Sequence, residues 1–187
     1  MTAQDLISPK GTTRLVVTLP GHQSRFGDAL KRQAGEAFTT LTDTHDAFTH
    51  VARRAIDRLV IMVPFIDKAG AAWAAELFEV TPAAERVLIL RDASQLTACG
   101  QAGARLRTLA TGVFDYCFAA EQAVADIGET FHAKVVLADG ISAYVGSANL
   151  LRRSRHSNLE CGILVDGPAA LAVAMLVDTV LTIARPT

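Results

Sequence analysis

The sequence is short of cysteine and of net charge, and each shortage narrows what the chain can be. Its three cysteines, Cys99, Cys117 and Cys161, are odd in number and widely spaced. That pattern excludes a disulfide framework and has no zinc-site spacing, so reduced thiols in a cytoplasmic protein are expected. Lys and Arg number 18 against 19 Asp and Glu, a formal charge of -1. There is no global basic field to attract nucleic acid, and any affinity for polyanions must be local. The opening residues Met1-Thr2-Ala3-Gln4-Asp5 carry neither a positive region nor a long apolar core, so no secretory signal is read. No apolar run is clean enough to span a membrane. The longest, Ala169 to Ala184, is interrupted by Asp178 and Thr179 and reads as a buried helix.

What is present is a hydrophobic half, enough to build the core of one domain from 187 residues. Arg14 to Pro20 is β-branched and stopped by Pro20-Gly21, which predicts a strand. Arg25 to Leu41 and His45 to Ile56 have helical spacing. Leu59 to Phe65 is an unbroken apolar run of the kind buried on both faces, so it should be a central strand. A helix over Ala69 to Phe78, a strand over Arg86 to Arg91, a helix over Ala102 to Leu109 and a strand over Val113 to Phe118 continue the rhythm. Phe131 to Leu137 and Ser142 to Val145 flank Asp139-Gly140, a two-residue hairpin signal. Leu159 to Val165 and Pro168 to Ile183 close the chain as strand and helix. The alternation with one late hairpin predicts a layered α/β domain with a mixed sheet. Residues 56–187 form its main body. Residues 1–55 are a strand and helical segment, either appended or integral.

Chemistry concentrates in one stretch. His132-Ala133-Lys134 is followed after four residues by Asp139, after six more by Gly146-Ser147-Ala148-Asn149, and then by Asn158-Leu159-Glu160. On a strand, positions two apart share a face, which sets His132 beside Lys134. The hairpin returns Ser147 and Asn149 to the same end, and the next strand brings Glu160. A neutral imidazole can attack phosphorus through one nitrogen if the other is held by an acceptor, and Glu160 is the candidate for that role. Lys134, Asn149 and Ser147 can hold the phosphoryl oxygens. The cations are side chains, so neither a metal nor another cofactor is required, and activity should survive EDTA. Asp139 belongs to the motif, but its place in the turn makes it structural. Arg152, Arg153, Arg155 and His156 form a basic cluster expected in a loop at the mouth of the site, where the guanidinium groups would bind flanking phosphates. A solvated loop explains them equally well. Phe65, Ile66 and Asp67, at the end of the central strand, are candidates to line the site, or a plain strand terminus.

The ungapped spacing of His132, Lys134, Asp139, Gly146, Ser147 and Asn149 resembles the signature of the phospholipase D superfamily. The resemblance implies an α/β/α fold, a covalent phosphohistidine intermediate and an active site built from two motifs about a two-fold axis. Only one motif is present, since His22, His45, His50 and His156 lack the following Lys. A homodimer would supply the second. Short single-motif members include dimeric nucleases, so a cytoplasmic homodimer that cleaves DNA or RNA is expected. The alternatives are a lipid phosphodiesterase and a non-catalytic nucleic-acid-binding or assembly subunit of a bacterial anti-phage defence complex.

Overall fold

A computed structural model describes residues 11–21, 24–35, 42–118 and 128–187. Strand β1 (Thr13–Thr18) and helices α1 (Arg25–Ala34) and α2 (Thr44–Arg54) lead into β2 (Arg58–Val63). There follow α3 (Lys68–Val80), β3 (Glu85–Leu90), α4 (Ser94–Ala98), α5 (Gln101–Leu109) and β4 (Gly112–Asp115). A short ribbon of β5 (Cys117–Phe118) and β6 (Glu129–Thr130) precedes β7 (Lys134–Ala138) and β8 (Ser142–Gly146). The described chain ends with α6 (Arg152–His156), β9 (Glu160–Asp166), α7 (Pro168–Ile183) and β10 (Arg185–Pro186).

Eight strands form one mixed sheet in the order β1-β9-β8-β7-β2-β3-β4-β10. Strands β2, β3 and β4 run parallel, and the remaining pairings are antiparallel. The unbroken apolar run is the centre of this sheet because both of its faces are covered. Leu59, Ile61 and Val63 join Phe48 of α2 and Trp73 and Phe78 of α3 in one cluster. Val60 and Met62 join Ala170, Ala174 and Val177 of α7 in the other. The period of two thus splits a uniformly hydrophobic strand between two cores. Strand β1 pairs with β9 along its whole length, so this part of the N-terminal segment lies in the same sheet. Among the described residues no helix is long and apolar enough to cross a membrane.

Three expectations need correction. The helix starting at Arg25 ends at Ala34, and residues 36–41 lie outside the described part. The strand expected over Val113 to Phe118 breaks at Tyr116. Its first part pairs with β3, whereas Cys117 and Phe118 turn to pair with β6. The β7–β8 connection has three residues, with Ala138 opposite Ser142. Asp139 and Gly140 take positive φ of 49° and 71°, and the Ile141 amide bonds the Ala138 carbonyl at 2.8 Å. The Asp-Gly pair does make the tight turn with both central residues left-handed.

Asp139 also holds the sheet to what precedes it. Its carboxylate accepts from the amides of Ile56 at 2.6 Å, Asp57 at 3.1 Å and Arg58 at 2.6 Å, capping the entry to β2. Asp139→Ala should therefore lower unfolding stability in urea by about 2–3 kcal/mol, from lost charge-assisted bonds and a strained φ. Asp139→Asn, which keeps an acceptor and tolerates the turn, should lose about half as much. Turnover per folded molecule should not change in either variant.

Candidate active site

The site lies at the edge of the sheet where β2 and β3 end and β7 begins. Strand β7 starts at Lys134 and not at Phe131, because its pairing with β2 stops at Met62 opposite Val135 and Pro64 has no amide to extend the ladder. His132 therefore precedes the strand and is exposed, which corrects the expectation that strand pleating sets it beside Lys134. The two meet by another route. Lys134 is 2 % exposed, and its ammonium folds back to donate to the His132 carbonyl at 2.7 Å. The same Nζ lies 2.9 Å from Nδ1 and 3.1 Å from Nε2 of that residue. A neutral imidazole has one bare nitrogen to accept from the ammonium, and its other N–H is left for a different acceptor. Burial pushes the Lys134 ammonium below its ordinary 10.5, against the opposing pull of the Glu160 carboxylate.

Glu160 is buried at the first position of β9. It accepts from Ser147 Oγ at 2.5 Å and from Asn158 Nδ2 at 3.2 Å. Ser147 Oγ in turn accepts from the Cys161 amide at 3.0 Å. Within one chain no hydrogen bond joins Glu160 to His132 among the described residues. The sheet order explains this, since β8 stands between β9 and β7. The expected orienter of the imidazole instead fixes Ser147 and Asn158. Asn149 has a buried Oδ1 without a hydrogen-bond partner among the described residues. His132, Lys134, Ser147, Asn149, Asn158 and Glu160 together line an open cleft of about 790 Å³. Asp139 sits at the far end of β7 and takes no part in it, which removes it from the reacting groups.

The Arg cluster is not a loop at the mouth. Residues Arg152 to His156 form the short helix α6, which docks on α3. The Arg155 guanidinium lies 5.3 Å over the Trp73 ring and 3.5 Å from Glu76, and the Arg152 amide donates to Asp67 at 2.9 Å. None of Arg152, Arg153 and Arg155 lines the cleft.

One feature beneath the site was not read from the sequence. Gly146 and Gly162 are cross-strand neighbours, and the Tyr144 ring fills the space their side chains would occupy. A Cβ at Gly146 would stand 2.3 Å from the Tyr144 hydroxyl, and one at Gly162 would stand 2.4 Å from its ring. Tyr144 is fully buried, which pushes its hydroxyl up to about 12 and keeps it protonated. The motif glycine is thus required by close approach, with no unusual φ.

Fold and site define the class, a phospholipase D-like domain. A family model described as cardiolipin synthase, phospholipase D-like domain, matches residues 49–178, and the chain belongs to that family. Among solved structures it is similar to NucT from Helicobacter pylori, at 12 % identity and a TM-score of 0.61, covering 95 % of this chain and 100 % of that one. Nuc, a phospholipase D family member from Salmonella typhimurium, aligns at 11 % identity and a TM-score of 0.58, covering 95 % and 99 % of the two chains. Phosphatidylserine synthase from Haemophilus influenzae gives 14 % and 0.54, covering 97 % of this chain but 41 % of its own. A search of curated proteins finds no match.

Proposed function

We propose that the chain is a metal-independent nuclease, acting on DNA or RNA through a phosphohistidine in a site shared by two copies. The carrying observation is the cleft in which an exposed His132 stands against a buried ammonium, with Asn149 and Ser147 beside it. The His132 nitrogen whose lone pair faces the Lys134 ammonium attacks phosphorus as that ammonium transfers its hydrogen bond to a non-bridging oxygen. As the N–P bond forms, the P–O bond to the leaving group breaks, and that oxygen takes a proton from His132 of the second copy. The second imidazole, now neutral, accepts a proton from water, whose oxygen displaces the histidine from phosphorus. Lys134 and Asn149 hold the non-bridging oxygens through both steps.

Two observations support the second copy. One chain holds one motif, and among the described residues its His132 imidazole has no carboxylate partner. Beside the cleft, Leu15, Ile163 and Val145 stand in one cross-strand row at 52 %, 44 % and 38 % exposure, an apolar strip for a two-fold mate. The Salmonella and Helicobacter relatives are Nuc and NucT, whereas the family description and the Haemophilus relative name lipid enzymes, so the test sets nucleic acid against lipid.

Purified protein incubated in EDTA with single- and double-stranded DNA and RNA, and separately with phosphatidylcholine vesicles, should cleave nucleic acid and leave the vesicles intact. Loss of cleavage in EDTA, or turnover of lipid alone, would overturn the reading. Light scattering should give twice the mass of the chain, and an active strict monomer would remove the shared site.

A further inference from the structure

We infer that Phe65 and Arg91 form a nucleotide-binding platform next to His132, which receives the base and phosphate flanking the scissile bond of a single strand. The inference rests on the nuclease reading above. The parallel strands β2 and β3 end side by side, Val63 opposite Leu90, so the residues just beyond them project from the same edge of the sheet. Continuing the β2–β7 register past Met62 and Val135 would set Phe65 opposite His132. The two rings do meet there, edge to face at 69° with centroids 6.3 Å apart. Phe65 is 37 % exposed although the strand it terminates is almost wholly buried. The Arg91 guanidinium lies 5.9 Å over its ring, and among the described residues Arg91 makes no ion pair with a carboxylate. An aromatic ring with a guanidinium over it suits the stacked bases and phosphates of a single strand.

The platform is braced from below. The Gln95 side chain accepts from the Ile66 amide at 3.1 Å and donates to the Pro64 carbonyl at 3.1 Å, gripping the peptides on either side of Phe65. Gln95 Nε2 also donates to the Asp92 carbonyl at 3.0 Å, next to Arg91. One side chain thus ties the two strand ends together and holds Phe65 outward, where a folded core would otherwise draw a phenyl ring inward. Such rigidity spares the bound state the entropy of ordering it. Like Arg152, Arg153 and Arg155, Arg91 does not line the cleft; its link to His132 runs through the Phe65 ring.

The test compares a single-stranded oligonucleotide with the same strand carrying abasic residues around the cleavage site. Phe65→Ala should raise KM on the normal strand about tenfold and leave the abasic strand within about twofold, while Phe65→Tyr restores the normal value. Arg91→Ala should weaken both strands and flatten the fall of binding with salt by about one phosphate contact. Fluorescence anisotropy in a His132→Ala background reads the same contrasts as binding, so a wild type that cleaves neither strand defeats the nuclease reading and leaves the platform measurable. Equal losses on normal and abasic strands would show that Phe65 only positions His132. Unchanged values on both, by cleavage and by anisotropy, would remove the platform altogether.

Discussion

Replacing His132 with alanine is expected to reduce phosphodiester cleavage by at least about a thousandfold, because the variant has no atom to form the bond to phosphorus. The fold should not suffer. His132 is exposed, precedes its strand and supplies to Lys134 a backbone carbonyl that alanine retains. The measurement is initial rate on a labelled oligonucleotide, with melting temperature recorded on the same preparation. Acid quenching of a single turnover should also trap a phosphoryl label on the wild type and none on the variant. A variant that cleaves as fast as wild type would move the chemistry to another residue.

Lys134→Met should lower activity by about a hundredfold to a thousandfold without lowering the melting temperature. The two effects separate because the ammonium is buried for catalysis at a cost to folding. Burial depresses its pKa from 10.5, so the folded state disfavours the charged form. That cost is fully present below the folded value and vanishes as pH rises above 10.5, so methionine should hold or raise stability most at neutral pH. The same depression sets the alkaline limb of the wild-type pH profile below 10.5, as Lys134 loses its proton. Lys134→Arg, whose guanidinium stays charged, should move that limb upward at a reduced kcat. A Lys134→Met variant that melts well below wild type would mark the residue as structural.

The linear motif was readable because its chemistry depends on residue types at fixed spacing, and the central strand because nothing but a two-faced core tolerates Leu59 to Val63. The family assignment followed from the same residues. What the sequence could not convey was which neighbour each polar group would find. His132 keeps the spacing of a strand residue but loses strand geometry to Pro64, a residue far away in sequence. Glu160 satisfies its carboxylate on Ser147 because β8 intervenes, and strand order is a property of topology that local patterning does not encode. Arg155 was counted as free charge, yet the indole of Trp73 and the carboxylate of Glu76 were waiting on α3. For Phe65 the sequence leaves a site-lining residue and a plain strand terminus equally open, since its exposure and its Gln95 brace exist only in three dimensions.

The pair of glycines over Tyr144 bears on attempts to move this chemistry elsewhere. A graft of the motif residues onto a foreign sheet would transfer the reacting groups but not the recess in which they sit. A host with a smaller residue at the tyrosine's position would leave a void beside Gly146 and Gly162, and one with a side chain at either glycine could not accept the aromatic ring. The portable unit is consequently a three-strand cassette of β7, β8 and β9, carried with its buried phenol, and a catalytic signature searched for in new sequences gains discrimination by including that ring.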